Sequence, residues 1–203
     1  MARESALLSC LSRGWLSRWC SYRWWLAGAC AVALCACGEP AADVSRPLSY
    51  DRLGVHMSIP GNWSMAEDKR VDAVHYMIVE SPGAAMFVAI VQADTTAELE
   101  DFARDFSAEA DKATPSAMNG HSRFDRSAFA EGTIREHYTL SLGGVKVPHR
   151  REYRKITGAH RTAFLITQSA DEDLPQTQPG FDLLLKSFKL ADAPRAAPGA
   201  ARH

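Results

Sequence analysis

Residues 134–153 read IREHYTLSLGGVKVPHRREY and contain the clearest signal for the fold of the chain. Glycine tolerates the positive φ angles of the tight turns that join antiparallel strands, so Gly143-Gly144 predicts a two-residue hairpin loop. The resulting register places five pairs of residues opposite each other: Leu140 and Val147, Tyr138 and His149, Glu136 and Arg151, Arg135 and Glu152, Ile134 and Tyr153. Two of these pairs join opposite charges, which stabilises neighbouring strands and supports the register.

Further strands are predicted on both sides of this hairpin. A second turn at 157–160 returns the chain to Phe164 and Ile166, which makes a three-stranded meander. Upstream, residues 55–59 alternate between apolar and polar and stop at a Pro-Gly pair, as in a half-buried strand. Residues 77–79 and 85–91 are apolar on both faces and flank Ser-Pro-Gly-Ala, which predicts a hairpin near the middle of a sheet.

The apolar spacing changes to a helical period in two places. Leu99, Phe102, Phe106 and Ala110 predict a helix over about 96–112, and the Thr95–Glu98 spacing fits a capping box. A final helix over about 178–188 carries its apolar stripe on Phe181, Leu184, Leu185 and Phe188. The order of elements predicts an α+β fold, in which a mostly antiparallel sheet is packed by two amphipathic helices.

The first part of the chain has the organisation of a signal peptide. Residues 1–23 are basic, and the apolar run that follows holds 13 residues when it is counted from Trp24 to Ala36. A transmembrane helix needs about 20 apolar residues, so the run is too short to span a bilayer.

The end of this run, Leu34-Cys35-Ala36-Cys37, resembles the lipobox of bacterial lipoproteins. The resemblance implies transfer of diacylglycerol to the Cys37 sulfur, cleavage between Ala36 and Cys37, and acylation of the new amine with a fatty acid such as palmitate. Cys30 is preceded by a poorer motif, and Cys35 follows the bulky Leu34. The remaining alternative is an ordinary secretory signal with incidental cysteines.

Lipidation implies a location as well as an anchor. Three acyl chains exceed the two membrane-binding signals that stable anchoring requires. In Gram-negative bacteria, Asp after the lipidated cysteine retains a lipoprotein at the inner membrane. Gly38 stands at that position, so the resemblance implies a periplasm-facing protein in the outer membrane.

These observations divide the 203 residues into four parts. We expect a signal peptide at 1–36, a polar tether at 37–48, a single α+β domain at 49–190 and a disordered tail at 191–203. The leader holds all five cysteines except Cys37 and four of the 23 basic side chains, but only one of the 24 acidic ones. The mature part therefore has a formal charge of −4, which gives no electrostatic basis for nucleic-acid binding. With Cys37 as its one cysteine, it can form no internal disulfide.

The domain resembles the DcrB-like family within the PsbP-like α/β/α sandwiches. Three stretches carry the resemblance: Tyr50 with 54–63 (GVHMSIPGNW), 153–155 (YRK) and 181–188 (FDLLLKSF). The family offers no agreed catalytic residues. Its members are implied to be lipoproteins, envelope accessory proteins or chaperone-like adaptors.

The sequence predicts neither a catalytic residue nor a metal or cofactor site. No Gly-x-Ser-x-Gly elbow, phosphate-binding glycine loop or His-Glu-x-x-His occurs. The charged run 149–155 has two interpretations. Arg150 and Arg154 could form a partner-binding face, or the strand could be solvated and neutralised by Glu136 and its neighbours, which is the commoner case for interspersed charges. The lone Trp63 is expected in the core.

The sequence therefore favours a lipid-anchored, non-enzymatic binding or accessory module of the periplasm. Its expected partners are the membrane, through the anchor, and a protein of unknown identity. One alternative is an immunity protein that neutralises a toxin delivered to the periplasm. The other is a hydrolase whose site is scattered over loops, and a deep pocket that holds a histidine and a carboxylate would favour it.

Overall fold

A computed structural model describes residues 38–93, 95–115, 118, 122–125, 132–142 and 144–191. The predicted signal peptide, Ala36, Cys37 and the tail beyond residue 191 lie outside the described residues. The strands and helices of the described part are β1 (Leu48–Arg52), β2 (Val55–Ile59), β3 (Ser64–Val71), β4 (Val74–Glu80), β5 (Met86–Ala93), α1 (Leu99–Ala113), β6 (Arg123–Asp125), β7 (Thr133–Leu142), β8 (Val145–Thr157), β9 (Arg161–Ala170), α2 (Leu174–Ser187) and β10 (Lys189–Leu190).

Two antiparallel sheets form the framework. The larger sheet has the order β3-β4-β5-β9-β8-β7-β6, and a smaller sheet has the order β1-β2-β10. The smaller sheet and α2 cover one face of the larger sheet, and α1 covers the other face. The predicted α+β class, with a mostly antiparallel sheet and two helices, is confirmed.

The central hairpin has the register that its sequence predicts. All five proposed pairs of β7 and β8 are opposite each other. Gly144 adopts φ +86° in the turn, which is a conformation that favours glycine. The turn after β8 is closed by a hydrogen bond from Gly158 N–H to Arg161 C=O, 2.8 Å long, and it brings β9 back against β8.

Each face of the larger sheet has its own core. Met77, Phe87 and Leu165 face α2 and β2, whereas Ile78, Val88 and Ile166 face α1. Side chains that alternate along a strand reach opposite faces, so burial of both faces requires an apolar residue at every position. This requirement explains the continuous apolar runs of β4 and β5.

Both helices begin at residues other than those predicted. Helix α1 begins at Leu99, and Thr95 Oγ1 accepts a hydrogen bond from Ala97 N–H instead of capping the helix, so the predicted capping box is wrong. Lys155 Nζ donates to the Ala97 carbonyl (2.8 Å), which ties this stretch to the sheet. Helix α2 begins at Leu174, four residues before the predicted start. Its first turn contains a proline, whose missing N–H needs no partner there.

Residues 38–47 lie against the domain, although their sequence shows no periodicity. The Glu39 carboxylate accepts hydrogen bonds from Gly83 N–H (3.2 Å) and Ala84 N–H (3.0 Å) in the β4–β5 turn. Ala42 N–H donates to the Gln176 carbonyl, and its side chain packs on the core beside α2. Polar side chains that complete the hydrogen bonds of turns can order a segment without an apolar pattern.

Candidate functional site: an apolar pocket with a polar end

A pocket of about 240 Å³ opens between α1 and the larger sheet. Its walls are mainly apolar, and they include Ile78, Met86, Val88, Phe106, Ala110 and Leu140. Four polar side chains from three adjacent strands meet at the pocket: Tyr138, His149, Arg151 and Gln168. A mostly apolar cavity with a few convergent polar groups is the usual form of a small-molecule binding site.

A buried network of hydrogen bonds lies beside these polar residues. Glu136 is fully buried, and its carboxylate accepts hydrogen bonds from Tyr153 Oη (2.5 Å) and Ser107 Oγ (2.5 Å). Arg151 is also buried; its Nη1 lies 3.4 Å from Glu136 Oε2, and its Nε donates to Gln168 Oε1 (2.6 Å). The network satisfies a charge that could not otherwise be buried, and it joins α1 to the sheet.

Tyr138 lies in contact with both Arg151 and His149 at the polar end. The guanidinium carbon of Arg151 is 4.1 Å from the centroid of the Tyr138 ring, a cation–π arrangement, and the His149 ring stacks at 5.1 Å. Burial raises the pKa of Tyr138 to about 12, so its hydroxyl keeps its proton at neutral pH. The buried hydroxyl has no hydrogen-bond partner among the residues that the structure describes.

Arg151 and His149 have definite charge states at neutral pH. Burial tends to lower the pKa of Arg151, but the nearby Tyr138, Tyr153 and Glu136 outweigh it and hold the pKa above its usual range. Burial lowers the pKa of His149 below its ordinary value of 6.5, and the positive charge of Arg151 adds to that effect. The polar end therefore presents a cation beside a neutral imidazole.

The charged run 149–155 is divided between the two faces of β8. Arg151 and Tyr153 are buried, whereas Arg150 and Arg154 lie on the opposite face with part of their surface exposed. Arg150 Nε lies 3.8 Å from Asp171 Oδ1, and Arg154 Nη2 lies 3.9 Å from Glu152 Oε2. The interpretation of the run as a solvated strand is therefore wrong for Arg151 and Glu136, whose ion pair is buried. A partner-binding face at Arg150 and Arg154 stays a prediction.

A second polar cluster, which sequence reasoning missed, joins β1, β3 and β4. His75 is buried and its Nε2 lies 2.7 Å from Asp68 Oδ1, while Arg52 Nη1 donates to Asp68 Oδ2 (2.6 Å). Burial tends to raise the pKa of Asp68, but the hydrogen bonds from His75 and Arg52 hold it below its usual value. A histidine beside the apolar run 76–79 was the one available signal, since strongly apolar strands rarely bury an unpaired polar residue.

Trp63 lies in the core, as expected. It is buried and meets the Phe181 ring edge-to-face at 5.2 Å between centroids. Within the described residues there is no group of three or more His, Cys, Asp or Glu that could hold a metal ion. Neither of the two described helices is long and apolar enough to cross a membrane.

Comparisons with known proteins find distant structural neighbours. No protein-family model matches the chain, and no curated protein matches it. Cyanobacterial PsbP from Synechocystis aligns over 81% of this chain and 98% of its own, with 13% identity and a TM-score of 0.43. LpqN, which is involved in cell envelope biogenesis of Mycobacterium tuberculosis, aligns over 72% of this chain and 90% of its own, with 12% identity and a TM-score of 0.38.

A Pseudomonas aeruginosa protein of unknown function aligns over 73% of this chain and 99% of its own, with 15% identity and a TM-score of 0.32. None of the three reaches a TM-score of 0.5, so these likenesses carry no functional argument for this chain. The fold and the pocket define an α+β module with a concave, mainly apolar site.

Proposed function

We propose that the chain is a lipid-anchored lipoprotein of the outer membrane, in which the domain acts as a non-catalytic binding module in the periplasm. The lipobox supports the anchor, and the pocket between α1 and the sheet supports binding. The main structural support for the proposal is the pocket, because polar groups that converge on an apolar cavity are typical of small-molecule binding sites. A lipoprotein of this kind needs no cofactor for that role.

The chemistry of the pocket favours binding over catalysis. Its described lining contains neither serine nor cysteine, and the hydroxyl of the lining Thr114 donates to the Ala110 carbonyl. His149 accordingly has no serine or cysteine to activate on the described walls, and the hydroxyl of its neighbour Tyr138 keeps its proton, with a pKa of about 12.

A hydrolase stays the second candidate, because the pocket does contain a histidine. His149 Nδ1 is 2.9 Å from the Val147 carbonyl, which favours the tautomer whose Nε2 can accept a proton. Hydrolysis of short-chain p-nitrophenyl esters by the wild type, abolished in His149→Gln, would replace the binding proposal with this one. Equal background rates in both proteins would support the binding proposal.

The anchor is tested by labelling cells with alkyne-tagged palmitate. Wild-type protein should incorporate the label, and Cys37→Ala should lose it. Cys30→Ala and Cys35→Ala are matched controls, because they alter neighbouring cysteines of the leader and should label like the wild type. Label that survives in Cys37→Ala would contradict the proposed lipidation site.

The membrane is tested by density-gradient fractionation of the same cells. The wild type should sediment with the outer membrane, and Gly38→Asp should move to the inner membrane. Gly38→Ala is the matched control and should behave like the wild type. If Gly38→Asp still sediments with the outer membrane, residue 38 does not decide the membrane in which the lipoprotein is retained.

A protein partner is tested by affinity capture of the tagged lipoprotein from detergent-solubilised membranes. One protein at near-equal stoichiometry would support a binding module, and a secreted toxin as that protein would favour the immunity alternative. If Arg150 and Arg154 form the interface, Arg150→Glu with Arg154→Glu should abolish capture. Unchanged capture by this variant would exclude that face.

A further inference from the structure

The dimensions and polarity of the pocket restrict what can occupy it. The volume of about 240 Å³ lies below the roughly 300–1,000 Å³ of sites for drug-sized ligands, so the pocket accepts only a short chain. The walls formed by Ile78, Val88 and Phe106 offer only apolar contact. A ligand therefore needs an unbranched or compact apolar portion of about this size.

The polar end specifies the other part of the ligand. Tyr138 lines the pocket and is 5% exposed, and its hydroxyl has no hydrogen-bond partner among the described residues. A buried, unpaired hydroxyl costs free energy that a ligand's acceptor can recover. Arg151 lies over the same ring and adds positive charge, so an oxygen acceptor, neutral or anionic, fits this end.

The rim of the pocket lies close to the predicted anchor. Ala84 is exposed on the rim, and its backbone N–H binds the Glu39 carboxylate (3.0 Å). Glu39 is two residues after Cys37, which corresponds to a chain length of at most about 7 Å. A β-carbon at Gly83 would lie 1.6 Å from Glu39 Oε2, so the close fit of this contact depends on glycine. A lipidated Cys37 would therefore hold the pocket at the bilayer surface.

We infer that the pocket binds a single-chain amphiphile taken from the adjacent membrane, with its acyl chain between α1 and the sheet and its head-group oxygen on Tyr138 and Arg151. The inference rests on the proposed lipid anchor for the source of the ligand. The chemistry of the pocket itself is independent of the anchor, and the two can be tested separately.

The chemistry is tested with a diazirine-bearing fatty acid of about eight carbon atoms, short enough for the pocket, which is added in solution to the purified full chain. Irradiation should attach the probe to residues of the pocket, such as Phe106 and Met86, as located by mass spectrometry. Ala113→Trp places a large ring at the pocket and should reduce labelling about tenfold. Ala108→Trp is the matched control, since Ala108 is exposed on the same helix, and it should label like the wild type.

The head-group contact has its own readout. Tyr138→Phe should weaken binding of the carboxylate probe by about five- to tenfold, the effect of one hydrogen bond. A diazirine-bearing alkane without the carboxylate should not distinguish Tyr138→Phe from the wild type. Labelling outside the pocket, or equal labelling of the wild type and Ala113→Trp, would overturn the inference while leaving the lipid anchor intact.

The source of the ligand is tested by placing the probe in phosphatidylethanolamine–phosphatidylglycerol vesicles. The lipidated wild type should be labelled in the pocket, and Cys37→Ala should lose this labelling but keep the labelling from solution. Equal labelling of both proteins from vesicles would show that the lipid anchor is not needed for the pocket to take its ligand from the bilayer. A wild-type protein that fails to incorporate palmitate, measured separately, would instead show that the proposed lipid anchor is wrong.

Discussion

Glu136 of β7 and Arg151 of β8 form a buried ion pair, with Arg151 Nη1 3.4 Å from Glu136 Oε2. Arg151 also lines the pocket, and Ser107, Tyr153 and Gln168 complete the hydrogen bonds of the pair. Because all of the polar groups are matched, the network positions Arg151 at the pocket without leaving a bare charge inside the domain.

Removal of one member of the pair should destabilise the domain strongly. Glu136→Ala leaves Arg151 buried without its carboxylate, and we expect it to lower the free energy of unfolding by about 3–5 kcal/mol. Urea denaturation measures the change. Arg135→Ala breaks the more exposed pair with Glu152 on the same two strands and should cost less than about 1 kcal/mol. Similar losses in both variants would contradict the structural role of the buried network.

Two tyrosines on neighbouring strands should respond in opposite ways to loss of the hydroxyl. Tyr138→Phe removes a buried hydroxyl without a partner among the described residues, and it should raise the free energy of unfolding by about 1 kcal/mol. Tyr153→Phe removes the hydrogen bond to Glu136 and should lower it by about 1–3 kcal/mol. Thermal and urea unfolding measure both. A destabilised Tyr138→Phe would show that its hydroxyl is already satisfied in the free protein.

The contact of Glu39 with the β4–β5 turn should depend on Gly83. Gly83→Ala puts a β-carbon into the space that the carboxylate occupies, so residues 39–46 should be released from the domain. Limited digestion with endoproteinase Asp-N detects this release as faster cleavage before Asp43, whose N–H donates to Asn62 Oδ1 while the segment is held. At Gly38 a β-carbon meets nothing within 4 Å, which makes Gly38→Ala the matched control. Equal cleavage of the two variants would mean that Glu39 does not hold the segment.

The free energy of unfolding should decrease as the pH is lowered, over a range that the two pKa values of His149 (folded and unfolded) define. The pKa of His149 in the folded domain is below 6.5, so the unfolded chain binds a proton that the folded domain does not. The stability that the domain gains by keeping His149 neutral is fully present above pH 6.5. It is lost as the pH falls from 6.5 towards the pKa of His149 in the folded domain. His149→Gln should flatten this part of the profile in urea unfolding measured from about pH 7 to about pH 5. An unchanged slope would assign the titration to another group.

Local sequence was sufficient for elements whose partners are close along the chain. Gly143-Gly144 and the two charge pairs identified the β7–β8 register, because a two-residue loop leaves one pairing that matches both the alternation and the charges. The apolar period similarly identified α1 and α2. Their first turns were misplaced, since the start of a helix depends on contacts such as Lys155 with Ala97 and on prolines that the first turn tolerates.

The amino-acid sequence alone identifies the class of fold and the central hairpin, because periodicity and turn chemistry are local properties of the chain. The lipobox is a local property too, and the proposed lipid anchor depends on it. The hairpin register already placed Glu136 opposite Arg151, but the burial of this pair and its contact with Ser107 of α1 appear only in the tertiary structure. The same holds for Glu39, which reaches a turn 44 residues away. Such contacts depend on how sheet faces and helices pack, so no local pattern predicts them. The pocket is a product of that packing, and it brings together residues from β4 to β9.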